Sequence, residues 1–116
     1  MYAEALAELN KVEGRIGEVP PLITAEMGYV FAASGRTTDA LATIRKLNAA
    51  SQKVFIDPYL VAAIYMGLGD RATTLEWLEK AYDARSGFMV ALVSEPKWDG
   101  LKSDSHFKDL VRRVGF

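Results

Sequence analysis

The sequence predicts an all-α fold, a right-handed superhelix of antiparallel helical hairpins closed by a C-terminal capping helix. Three observations predict it. First, the chain matches itself when displaced by 34 residues: Gly35 falls on Gly69, Phe31 on Tyr65, Leu41 on Leu75, Ile44 on Leu78 and Lys46 on Lys80. Such a period marks a helix–turn–helix unit that stacks on its neighbours. Second, nearly apolar helices alternate with amphipathic ones, as stacked hairpins require, because inner helices are covered on both sides. Third, Gly35 and Gly69 stand where each hairpin must turn.

The elements follow in order. Ala3–Val12 carries Ala5, Leu6, Leu9 and Val12 at helical spacing, and Gly14 and Gly17 interrupt it. Pro20-Pro21 opens the next helix, since a first-turn proline lacks only an N–H that had no partner. From Leu22 to Ala33 the single charge is Glu26, so this helix reads as buried. Thr37 to Ala50 is amphipathic, with Ala40, Leu41, Ile44 and Leu47 as its inner stripe. Ser51–Ile56 reads as a loop. Asp57-Pro58 then reads as an N-cap followed by a first-turn proline. Pro58–Leu68 has no charge and is expected to be the most buried helix.

Asp70 caps a further helix running to about Arg85, with Leu75, Leu78, Ala81 and Tyr82 inward. Glu76, Glu79 and Asp83 are assigned to its solvated side. Phe88–Val93 is six apolar residues, read as a short helix from its context. Glu95–Gly100, holding Pro96 and Gly100, is read as irregular. Asp104 caps a last helix with Phe107, Leu110, Val111 and Val114 on one face. The chain thus divides into residues 1–19 (a partial preceding unit), 20–52 and 53–86 (two hairpins) and 87–116 (a divergent segment and cap).

These residues resemble the tetratricopeptide repeat family. Gly28, Phe31, Gly35, Ala40, Ile44 and Leu47 match its pattern in one hairpin, and Ala62, Tyr65, Gly69, Thr74, Leu78 and Ala81 in the next. Thr24 and Pro58 stand where the family has tryptophan, and Gln52 where it closes a repeat with proline. The C-terminal stretch is similar to the last repeats of multidomain bacterial proteins, in which such a tail follows a kinase, a cyclase or a winged-helix domain. The resemblance implies a non-catalytic regulatory or scaffold segment that binds a protein or peptide. By the family's register, the inward face is Leu22, Ala25, Tyr29, Ala32, Ala33, Tyr59, Ala63 and Met66. None is Lys or Arg, which disfavours the subtype that clamps a terminal carboxylate. The expected partner surface is an apolar groove of Leu22, Ala25, Tyr29, Ala33, Tyr59, Ala63 and Met66, with Tyr29, Tyr59 and Met66 as anchors. Cover by the chain's own last helix or by a neighbouring repeat is the competing expectation.

Composition narrows the alternatives. The net charge is −1 with both signs interspersed, which disfavours nucleic acid. There is no cysteine, which removes thiol chemistry and fits a cytoplasmic setting. The longest uncharged run, Pro58–Gly69, falls short of the ~18 apolar residues of a membrane span. Charges among the first ten residues argue against a secretory signal. The sequence reads as an excised fragment that retains its natural C-terminus. His106, the only histidine, reads as part of a polar helix start rather than a catalytic or metal ligand. Gly67-Leu68-Gly69-Asp70 lacks the Gly-Lys-Ser/Thr of a phosphate loop. No cofactor, metal or small-molecule substrate is expected. Two alternatives are homo-oligomerisation through Leu6, Leu9 and Val12 and, more remotely, a small enzyme.

Overall fold

The computed structural model describes residues 20–115, and every element among them is a helix. The chain forms two compact units, Met1–Ile56 and Asp57–Phe116. In the first, α1 (Pro21–Ala33) packs on α2 (Thr37–Ala50). In the second, α3 (Pro58–Leu68) packs on α4 (Arg71–Asp83), followed by 3-10 helices at Gly87–Ala91 and Pro96–Leu101 and by α5 (Ser105–Val114), which packs on α4. The predicted helix over Ala3–Val12 lies outside the described residues.

The helix starts follow from local chemistry. Asp57 accepts a hydrogen bond from the Tyr59 N–H, Asp70 from Thr73 and Asp104 from His106 and Phe107. Each satisfies an amide that the first turn leaves without a partner. Pro21 and Pro58 occupy first-turn positions.

The 34-residue recurrence extends to hydrogen bonds. The Gly35 N–H donates to the Ala32 carbonyl at 3.2 Å, and the Arg36 N–H to Phe31 at 2.8 Å. One period later Gly69 donates to Met66 at 3.0 Å, and Asp70 to Tyr65 at 3.1 Å. Both glycines are left-handed, with φ of +84° and +81°, where a Cβ would be strained. Ala40 and Thr74, each fully buried, sit one period apart on the second helices, as do Ile44 and Leu78. Thr74 is accommodated because its hydroxyl donates to the Asp70 carbonyl at 2.7 Å.

The end of α4 repeats this bond pattern without glycine. Ser86 N–H donates to the Ala81 carbonyl and Arg85 N–H to Tyr82, each at 3.0 Å, with Arg85 at φ +56°. A left-handed L-residue is disfavoured by about 1–2 kcal/mol, partly offset by the entropy glycine adds to the unfolded chain. Arg85→Gly is therefore expected to stabilise the second unit by about 0.5–1 kcal/mol. A urea midpoint equal to or below wild type would contradict this.

Two sequence expectations change. Leu41, placed in the inner stripe, is 39% exposed, because Ala40, Thr43, Ile44 and Leu47 complete the buried face of α2 without it. Glu95–Gly100, expected to be irregular, contributes most of a 3-10 helix. Phe88–Val93, read as a short helix, lies largely in the 3-10 helix Gly87–Ala91. A 3-10 helix aligns residues three apart, so Met89 is buried with Leu92, the C-cap of the first such helix, and Trp98 with Leu101 in the second. Phe88, Val90 and Val93 fall outside that edge and are exposed.

Candidate interaction surfaces

The predicted groove residues divide sharply by exposure. On α1, Leu22 is 47% exposed, Tyr29 and Ala33 are half-buried, and Ala25 is buried. On α3, Tyr59 and Ala63 are buried and Met66 is half-buried. Tyr59 is therefore no surface anchor. Its ring stacks with Phe88 at 5.5 Å and meets Trp98 edge-on at 5.2 Å. A Cβ added at Gly100 would come within 3.1 Å of the Met66 methyl, which places that side chain against the second 3-10 helix. The inward face of α3 is thus covered by the chain's own C-terminal segment. Periodicity reveals which face of a helix is apolar, but not which distant segment covers it.

Around Tyr59 the polar atoms form a chain. The Trp98 indole N–H donates to the Tyr59 hydroxyl at 2.8 Å, and that hydroxyl donates to Glu95. Burial pushes the Tyr59 hydroxyl far above its ordinary value of 10.0, and Glu95 reinforces the shift by accepting its proton. Nearby, Asp57 Oδ2 accepts from the Ser86 hydroxyl at 2.7 Å, while Oδ1 caps α3. Ser86 Oγ in turn accepts from the Phe88 N–H at 3.2 Å. One carboxylate therefore ties the start of α3 to the segment leaving α4.

A second polar cluster joins α4 to α5. Both carboxylate oxygens of Glu79 accept from the Arg113 guanidinium, and Oε1 also meets His106 Nε2 at 2.7 Å. Arg113 Nε lies 2.8 Å from Asp109 Oδ2 but makes no well-aligned hydrogen bond. Its guanidinium also lies over the Tyr82 ring at 4.9 Å. The Arg113 hydrogen bonds hold the Glu79 carboxyl below its ordinary 4.5, against the opposing effect of burial and with added help from His106. The same pairing raises Arg113 further. The assignment of Glu79 to a solvated face is corrected: Glu76 and Asp83 are exposed, but α5 packs over Glu79.

A depressed carboxyl contributes stability above its unfolded value and loses it as pH falls through the folded one. Glu79→Gln is accordingly expected to flatten the loss of stability below pH 4.5. Urea midpoints measured from pH 6 downward check this, and parallel curves for the two proteins would refute it.

Among the described residues, no group of three or more His, Asp or Glu is placed to hold a metal ion. No described helix is long and apolar enough to cross a membrane. Among the described residues, the large apolar side chains left exposed are Leu22, Leu41, Val54, Phe55, Phe88, Val90 and Val93, of which Phe55 at 73% is the most open. Sequence reasoning did not single out the last three, because six apolar residues in a row carry no period that separates a buried edge from an exposed one. A pocket of about 430 Å³ lies where α4 and α5 end, lined by Tyr82, Arg85, Ser86, Met89, Arg113 and Val114. Leu6, Leu9 and Val12, the candidate oligomer face, lie outside the described residues. No family model, curated protein or solved structure matches the chain.

Proposed function

We propose that the chain is a non-catalytic protein-interaction module, with its helical hairpins stacked as a right-handed tetratricopeptide-like superhelix. In this reading it serves as a C-terminal regulatory or scaffold segment of a larger bacterial cytoplasmic protein. The observation that carries the proposal is the recurrence, at 34 residues, of the same turn, the same paired hydrogen bonds and the same buried positions. Repeated hairpins of this kind present extended surfaces to partners.

The partner is a protein or peptide with an apolar face. With Tyr59 and Ala63 withdrawn into the core, the docking surface rests on α1, where Leu22 and Tyr29 lie a helical heptad apart. Tyrosine supplies a large amphipathic contact at low entropic cost and is enriched at interface centres.

The test is quantitative affinity capture with wild type, Leu22→Glu and Tyr29→Ala, each with unchanged helicity by circular dichroism. A protein retained by wild type and lost by both variants is the expected result. Equal capture by all three removes the α1 surface from the proposal.

A further inference from the structure

The first hairpin contains a pocket of about 190 Å³, walled by Thr24, Met27 and Phe31 from α1 and by Asp39, Ala42, Thr43 and Lys46 from α2. The second hairpin shows what belongs in such a place. One period on, Phe31 corresponds to Tyr65, Thr43 to Trp77 and Lys46 to Lys80. There the Trp77 indole stacks on Tyr65, with centroids 6.4 Å apart and planes 20° from parallel. The Lys80 ammonium sits 4.1 Å from the indole centroid.

The first hairpin keeps the aromatic platform and the lysine position but carries only Thr43 where the indole would originate. The Thr43 hydroxyl is turned back to the Asp39 carbonyl at 2.8 Å. The Arg36 guanidinium lies over the Phe31 ring at 4.9 Å and is not part of the pocket wall. By the 34-residue offset, the hollow borders the position, Thr43, that corresponds to the indole-bearing Trp77 of the other hairpin.

Its size and lining agree with that occupant. An apolar cavity of about 150 Å³ accepts benzene, whereas pockets for small-molecule ligands begin at about 300 Å³. A volume of 190 Å³ therefore suits a single aromatic side chain. Met27 and Phe31 supply apolar surface, and Asp39 at the wall, whose Oδ2 already accepts from Arg36 Nε at 2.8 Å, has carboxylate lone pairs beyond that bond for an indole N–H. We propose that this pocket is a socket for a tryptophan side chain presented by a protein partner. It uses α1 positions separate from Leu22, Ala25, Tyr29 and Ala33, so it is a site additional to the groove.

The test titrates the full ¹⁵N-labelled chain with N-acetyl-tryptophanamide by NMR, with N-acetyl-leucinamide as comparator. The expected result is a set of saturable shifts centred on Met27, Phe31 and Ala42, at least five-fold weaker with the leucine analogue. Thr43→Trp, which fills the hollow from within, is expected to abolish them. Phe31→Leu, which keeps apolar bulk but removes the platform, is expected to weaken them at least five-fold and serves if Thr43→Trp does not fold. The proposal is overturned if wild type shows no shifts, if both analogues act equally, or if the variants respond as wild type.

Discussion

Trp98→Ala is expected to destabilise the Asp57–Phe116 unit by about 3–5 kcal/mol, the range for removing a fully buried large aromatic. A unit of this size has little stability in reserve, so much of its helical signal should be lost at 25 °C. The indole touches the Tyr59 ring and is hydrogen-bonded to its hydroxyl. Its removal both opens a cavity and leaves the Tyr59–Glu95 pair facing that cavity. Far-UV circular dichroism across a urea gradient provides the measurement, and a midpoint near wild type would show that Trp98 is not a keystone of this unit. Tyr59→Phe isolates the polar part. It keeps the stack on Phe88 but leaves the indole N–H without its acceptor, for an expected loss of about 1–3 kcal/mol. Because the folded state holds the hydroxyl neutral, the wild-type advantage is full below pH 10 and declines as pH rises above it.

Asp57→Ala is expected to cost about 2–3 kcal/mol, combining a lost N-cap of about 1 kcal/mol with a hydroxyl deprived of its charged acceptor. The two carboxylate oxygens have separate duties, one to the Tyr59 N–H at 2.9 Å and one to Ser86 at 2.7 Å. Asp57→Asn keeps the side-chain carbonyl as a cap and should recover about half of the loss. Ser86→Ala should account for the remainder without affecting the cap. If Asp57→Ala costs no more than an ordinary cap, the tie to Ser86 contributes nothing.

The ends of the helices were the most legible part of the sequence, because each depends on residues adjacent in the chain. Asp57, Asp70 and Asp104 cap as their spacing indicates, and Gly35 and Gly69 turn as their period indicates. What covers each face was not legible, because it depends on residues distant in sequence. Tyr59 has the hydroxyl and ring of an interface anchor, yet Phe88, Glu95 and Trp98 surround it. Glu79 lies at surface spacing on α4, yet Arg113 and His106 reach it from α5. The 3-10 segments were obscured for another reason. Their buried pairs, Met89 with Leu92 and Trp98 with Leu101, repeat every three residues, a period too brief over two turns to stand out from the apolar run around it.

The placement of the two tryptophans has a spectroscopic consequence. Trp77 and Trp98 are the only ones in the chain, and both belong to the Asp57–Phe116 unit. Intrinsic indole emission therefore reports on that unit alone, while circular dichroism reports on helices in both. The sealed Trp98 should emit to the blue and resist acrylamide, and the half-exposed Trp77 should be quenched. Coincident unfolding curves from the two signals would mark a single cooperative transition, and separated curves would resolve the two units without any label.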